Sequence, residues 1–198
     1  KTGLGLVQWR REGCSGQVRL AGCSVDAGVP DLDVEQAVRL GVRSLIVGSA
    51  AVGGGMPAGW VATLCDAAAA GVDIVAGLHV RLASLPGLAD AAARGDARLI
   101  DVRVPPPGLP VGTGRKRAGR RLLTVGTDCA CGKKYTALAL NQEMRRRGLP
   151  SDFRATGQTG IMIAGTGIPL AAVVADFVTG AAELLSPDND ADHWDMVE

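Results

Sequence analysis

The segment Gly126-Thr-Asp-Cys-Ala-Cys-Gly132-Lys133 places two glycines and a lysine where an anion is readily held. A turn bounded by glycines lets the backbone wrap closely around phosphate oxygens. A lysine opening the next helix adds a mobile charge to that helix's unpaired N–H groups and positive end. The apolar run Leu122–Val125 before the turn and the helical pattern Lys133–Arg147 after it complete a strand–loop–helix layout, the context that makes such a motif a phosphate-binding P-loop. Two features depart from the usual spacing. Five residues separate Gly126 from Gly132, and Lys134 stands where Ser or Thr normally follows the lysine. The missing hydroxyl removes the usual Mg²⁺ ligand, with Thr136 as a substitute two positions further on. The residues expected to hold a phosphorylated ligand are Gly126, Thr127, Asp128, Cys129, Ala130, Cys131, Gly132, Lys133, Lys134, Tyr135 and Thr136.

Asp128, Lys133 and Glu198 are the candidate catalytic groups. Asp128 either reacts or caps the turn. Glu198 ends an apolar strand, where parallel strands face a ligand crevice, and suits a general base for an amine or a metal ligand. Gln158 and Thr159, in the glycine loop Thr156–Gly160, are candidate substrate contacts. Arg154 could grip a substrate carboxylate with two parallel bonds, or simply be a strand surface charge. His79 is a base candidate or a hydrogen-bonded structural histidine. The Asp188–Asp190 turn and His193 resemble turn chemistry more than a metal site, and no resident metal is expected. Cys129 and Cys131 lack a second thiol pair and suit loop fillers or low-pKa thiols.

The elements that must position these groups alternate between strand and helix. Before the P-loop we expect a helix over Asp31–Gly41, a buried strand at Ser44–Gly48, and a glycine turn at Gly53–Gly55. A helix opened by Pro57 and stopped by Gly71 follows, then a strand at Asp73–Ala76. A helix over Arg81–Arg94, interrupted at Pro86, and a strand at Arg98–Val104 come next. Beyond the P-loop, the expected elements are strands at Asp152–Ala155 and Trp194–Glu198 and a helix over Phe177–Leu185. Ala172–Asp176 is read as a strand or a helix start. This alternation implies an α/β fold with parallel sheets. The stretch 105–121, opening Pro-Pro-Pro-Gly and carrying five Arg and Lys residues, divides the chain. The expected organisation is a Rossmann-like N-terminal domain over 1–110, a basic linker over 111–121, and a P-loop domain over 122–198 that is cut short.

The 198-residue chain is 47% hydrophobic with a formal net charge of +1, so no basic excess points to nucleic acid. Its longest apolar runs, Ser44–Met56 and Ile161–Val174, are interrupted by Gly or Pro and too short to span a bilayer. Five scattered cysteines make a poor disulfide framework, and the chain is expected to be cytoplasmic. The abrupt start at Lys1 and the strand running out at Glu198 suggest a piece of a longer protein.

The loop Gly126-Thr-Asp-Cys-Ala-Cys-Gly-Lys133 resembles the Gly-Thr-Asp-x-x-x-Gly-Lys loop of dethiobiotin synthetase. Further stretches are similar to a family of D-glutamate N-acetyltransferases, formerly catalogued as a domain of unknown function. They are Gly77-Leu-His-Val-Arg-Leu82, Leu99-Ile-Asp-Val-Arg103, Pro110-Val-Gly-Thr-Gly-Arg-Lys-Arg117, Phe153-Arg-Ala-Thr-Gly-Gln-Thr-Gly-Ile161, Leu185-Ser-Pro-Asp-Asn-Asp190 and His193-Trp-Asp195. The resemblance implies a Rossmann-like domain joined to a P-loop domain whose last strand here continues into a further glycine-rich loop and more α/β structure. It also implies acetyl transfer from acetyl-coenzyme A to D-glutamate, with the P-loop holding coenzyme phosphates. The alternatives are an ATP- and Mg²⁺-dependent ligase or kinase of the dethiobiotin synthetase type, and a non-catalytic nucleotide-binding module. The expected partners are a small amino-acid substrate and further copies of the chain in a homo-oligomer, with neither nucleic acid nor membrane.

Overall fold

The computed structural model describes residues 2–49, 56–128 and 130–198. The expected turn at Gly53–Gly55 and residue Cys129 lie outside them. The chain divides into two compact units, Lys1–Arg103 and Val104–Glu198.

The first unit runs α1 (Thr2–Trp9), α2 (Val34–Arg39), β1 (Ser44–Ile46), α3 (Ala58–Ala69), β2 (Asp73–Ala76), α4 (Leu88–Gly95) and β3 (Leu99–Asp101). Its strands form a parallel sheet in the order β1-β2-β3. Asp33 starts α2 with a reciprocal cap. Its carboxylate accepts from Gln36 N at 2.7 Å, and its own N–H donates to Gln36 Oε1 at 2.9 Å. The core lies under α3 and α4, where Ile74, Leu82 and Leu88 are fully buried. Asp73 ties β2 to β3, accepting from Arg98 N at 2.7 Å and Nε at 2.9 Å.

Two expectations change here. Residues 2–9 form a helix ahead of the first element expected from sequence. The helix expected over Arg81–Arg94 is split into a 3₁₀ turn at Leu82–Ser84 and α4, because Pro86 offers no N–H and Gly87 adopts a left-handed φ of 73°.

The second unit runs β4 (Arg120–Leu123), α5 (Lys133–Arg146), β5 (Ser151–Arg154), α6 (Gln158–Ala164), α7 (Val178–Leu185) and β6 (Trp194–Val197). The parallel order is β4-β6-β5, so the last strand of the chain sits at the centre. One face of the sheet is covered by α5, which packs on β5 and β6. On the other, Val197 packs against Ile168, Ala181 and Leu185.

β4 begins two residues before the expected Leu122. Arg120 N already bonds His193 O at 2.8 Å, whereas beyond Thr124 the chain leaves the sheet and Val125 is 79% exposed. Thr156–Gly160, expected as a loop, instead leads into α6 from Gln158. Around Ala172–Asp176 there are two 3₁₀ turns, Leu170–Ala172 and Ala175–Phe177.

The basic stretch after Pro110 lies along α7 within this unit. Glu183 accepts from Thr113 N at 2.9 Å, Thr113 Oγ1 at 3.0 Å and Gly114 N at 2.8 Å. Ala118 N donates to Asp188 at 2.7 Å. No described helix is long and apolar enough to cross a membrane.

Candidate functional site

Because β4, β6 and β5 are parallel and adjacent, their carboxyl ends bring three chain segments to one edge of the second unit. These are the glycine loop between β4 and α5, the turn between β5 and α6, and Glu198 after β6. Thr124 fastens the first strand to the third, with its N–H 3.0 Å and its hydroxyl 3.2 Å from Val197 O.

The glycine loop is wound tightly. Ala130 and Gly132 hold left-handed φ values of 57° and 109°. Gly126 has no room for a side chain, since a Cβ there would stand 2.5 Å from Cys131 Sγ. Lys133 opens α5 and folds back, donating from Nζ to Asp128 O at 2.6 Å and lying 3.7 Å from Cys131 Sγ. The Cys131 thiol also donates to Asp128 O, at 3.2 Å. Desolvation pushes that thiol's pKa up. Hydrogen bonding to the Asp128 and Lys133 backbone and the Lys133 ammonium outweigh it, leaving the thiol below its ordinary value. Thr136, whose hydroxyl was the expected Mg²⁺ substitute, donates that hydroxyl to Gly132 O at 3.1 Å within the helix. The Lys134 ammonium lies 4.5 Å over the Tyr135 ring. The Asp128 side chain is exposed at the loop's outer turn.

Glu198 continues the ladder, with its N–H donating to Arg154 O at 3.1 Å. Its carboxylate lies at the start of α6 and accepts from Thr156 N at 3.3 Å and Gly157 N at 3.4 Å. The two glycines beneath it make the seat. A Cβ at Gly157 would come to 3.0 Å from Glu198 Oε1, and one at Gly160 would overlap the same carboxylate. Burial raises the Glu198 pKa, against the opposing effects of the Gly157 and Thr156 amides and the Lys134 ammonium. A half-buried carboxyl with raised proton affinity beside a phosphate-type loop is suited to take a proton from a bound ligand.

The structure therefore brings Asp128, Lys133, Lys134, Glu198, Gln158 and Thr159 to the carboxyl ends of the sheet, Gln158 and Thr159 as the first residues of α6. It turns Arg154 elsewhere. That guanidinium donates from Nε to Asp195 at 2.8 Å and from Nη2 to Asp152 at 3.3 Å, and it lines a separate cavity of about 250 Å³ with Phe153, Ile168 and Leu185. His79 is exposed in the first unit, after β2.

The role of one group was not legible in the sequence. Asp195, 1% exposed, is a hub near the amino ends of the strands, accepting from Arg154 and Ser186 with His193 Nε2 3.5 Å away. Its register neighbours are Arg121 on β4 and Asp152 on β5. Asp152, His193 and Asp195 have ligand-type atoms within 4.8 Å of one another, but the Arg154 guanidinium already supplies positive charge there. The sequence signal was a lone acid inside an apolar strand. Its cross-strand neighbours, Arg154 and Asp152 on β5 and Arg121 on β4, lie 41 to 74 residues away in sequence and could not be paired before the strand order was known.

Sequence and structure comparisons agree with this architecture. Residues 18–105 match a Rossmann-like domain, DUF1611_N, and residues 110–198 match a P-loop domain, DUF1611_C, both described as domains of unknown function. The chain is 46% identical over all 198 residues to a D-glutamate N-acetyltransferase of Tritonibacter scottomollicae, and 41% identical to one of a Pseudoalteromonas species. In each case it covers 60% of the relative's length. A crystal structure of a DUF1611 family protein from Anabaena variabilis superposes with a TM-score of 0.79 at 36% identity, over the whole of this chain and 61% of that one. With both domain models matched in order and the similarity running its full length, the chain belongs to the DUF1611 family of linked Rossmann-like and P-loop domains.

Proposed function

We propose that the protein containing this chain is an N-acetyltransferase that moves the acetyl group of acetyl-coenzyme A to the amine of D-glutamate. The observation that carries the proposal is the pairing, at one sheet edge, of a P-loop lacking the usual hydroxyl with a half-buried carboxylate, in a chain 41–46% identical to relatives bearing that activity's name. Lys133, Lys134 and the amides at the start of α5 hold the coenzyme's phosphates. This use of a P-loop needs no phosphoryl transfer, so a lysine in the Ser or Thr position is tolerated.

Glu198 acts as the general base. It takes one proton from the substrate ammonium, and the freed amine attacks the thioester carbonyl. The C–N bond forms, the nitrogen releases its second proton to solvent as the amide forms, the C–S bond breaks, and the departing thiolate takes up the proton that the carboxyl gained. Gln158 and Thr159 contact the amino acid beside it, and Asp128 lies at the outer turn of the loop. The partners are small molecules, and the setting is cytoplasmic.

The test is product formation from labelled acetyl-coenzyme A by the full-length protein at saturating D-glutamate. Transfer without added Mg²⁺ or ATP is expected; its absence, or turnover of ATP instead, refutes the proposal. Lys133→Ala should weaken coenzyme A binding by about 2–3 kcal/mol, roughly 30- to 150-fold, the scale of a charge-assisted hydrogen bond. Calorimetric titration measures it.

A further inference from the structure

Glu198 is gripped at both ends by one residue. Thr156 donates its hydroxyl to the Glu198 main-chain oxygen at 3.0 Å and its N–H to the Glu198 carboxylate at 3.3 Å. We propose that Thr156 is the positioning residue of the general base. Its hydroxyl fixes the backbone just past β6, so that the Glu198 carboxylate stays on the amides before α6 and meets the substrate amine at one place. This rests on the acetyl-transfer reading above, in which Glu198 takes the proton, and adds the group that aims it.

The need for such a group follows from the side chain. A glutamate carries its carboxylate several torsions from the backbone and has many rotamers to choose from. The two amide contacts on this carboxylate, at 3.3 and 3.4 Å, are longer than ordinary N–H···O bonds and hold it loosely. Whether they persist depends on where the Glu198 backbone lies. That backbone is tied on the β5 side, with its N–H donating to Arg154 O at 3.1 Å. The Thr156 hydroxyl ties the oxygen of the same residue, so both main-chain polar groups of Glu198 are held by one short segment.

The segment is itself fixed. Ala155 O accepts from Ile168 N, and Thr156 O from Leu170 N, both at 3.1 Å. Thr156 is β-branched, so few χ1 rotamers are open to it and its hydroxyl keeps its direction. Any residue at this position would supply the amide; only a serine or threonine supplies the hydroxyl as well. With its one proton committed to the Glu198 oxygen, that hydroxyl has none to give to the reaction. It acts through Glu198, by geometry.

The experiment is steady-state acetyl transfer by the full-length protein with Thr156 replaced by Val, Ala or Ser. Thr156→Val keeps the shape and loses the hydroxyl, whereas the Ser and Ala variants differ from each other by the hydroxyl alone. Thr156→Val and Thr156→Ala should lower kcat by roughly 10- to 100-fold, up to the loss expected of a reacting group set about 1 Å out of place, with KM for acetyl-coenzyme A unchanged. Thr156→Ser should recover most of that loss. The rise of kcat with pH should also move to higher pH in the Val and Ala variants, because a loosened carboxylate loses the amides that oppose its raised pKa. Equal kcat in Thr156→Ser and Thr156→Ala overturns the proposal, as does an unmoved pH profile, and the Ser–Ala comparison holds even where Thr156→Val does not fold. Glu198→Gln is measured beside them. If it is strongly impaired while Ser and Ala are equal, only the positioning role falls; if it turns over like wild type, the general-base reading falls and the positioning role with it.

Discussion

Replacing Gly160 by alanine should nearly abolish activity while leaving the fold stable. Gly160 is the third residue of α6, and in a free helix the change would stabilise by about 1 kcal/mol. Here the new Cβ would stand 2.9 Å from Glu198 Cδ and 3.2 Å from Ala155 Cβ. Comfortable carbon–carbon separations are roughly 3.5–4.0 Å, so the carboxyl must retreat by about 1 Å. Its bonds to the Thr156 and Gly157 amides, already 3.3 and 3.4 Å long, then break. Losing two weak charge-assisted bonds costs about as much as the helix gains, and the melting temperature should move little. A catalytic group displaced by about 1 Å, by contrast, can lose on the order of 100-fold in rate. The assay is steady-state acetyl transfer by the full-length protein beside thermal unfolding. In a Glu198→Gln background the same substitution should add almost nothing, because both changes act through one carboxylate. Wild-type kcat/KM in Gly160→Ala, or full additivity with Glu198→Gln, would refute the reasoning.

Three further outcomes are expected. Glu198 has a raised folded-state pKa, so wild-type stability should fall as pH climbs from the ordinary carboxylate value through the raised one; Glu198→Gln should flatten that part of the profile in melting curves from pH 4 to 7. Asp195→Ala leaves Arg154 and Ser186 without their buried acceptor and should cost about 3–5 kcal/mol in urea unfolding; a loss under 1 kcal/mol would contradict the hub. Glu183 is held below the ordinary carboxylate range chiefly by the Thr113 and Gly114 amides, so its grip on residues 113–114 should persist above that range and fade as pH drops through the depressed value. Glu183→Gln should accordingly speed tryptic cleavage at Arg115 and Lys116, and an unchanged digestion rate at neutral pH would count against the clasp.

The local signals carried the α/β class and the P-loop directly from sequence. Glycine at 126 and 132, lysine at 133 and the flanking apolar and helical patterns act within a few residues, where backbone freedom and helix-end charge are set by residue type alone. Pro57 and Gly71 likewise bracketed α3. The start of α6 was misread because Gly157 and Gly160 look like turn residues. They are glycines because a carboxylate from Glu198, some 40 residues on, presses against them.

Sequence by itself determined which residues can wrap a phosphate and which segments alternate between strand and helix, since both follow from short-range sterics and periodicity. Only the tertiary structure decided that β6 inserts between β4 and β5. That insertion sets Glu198 beside the loop and turns Arg154 onto Asp195. Pairing between strands is chosen by packing over the whole sheet, and no local pattern encodes which strand will lie in the middle.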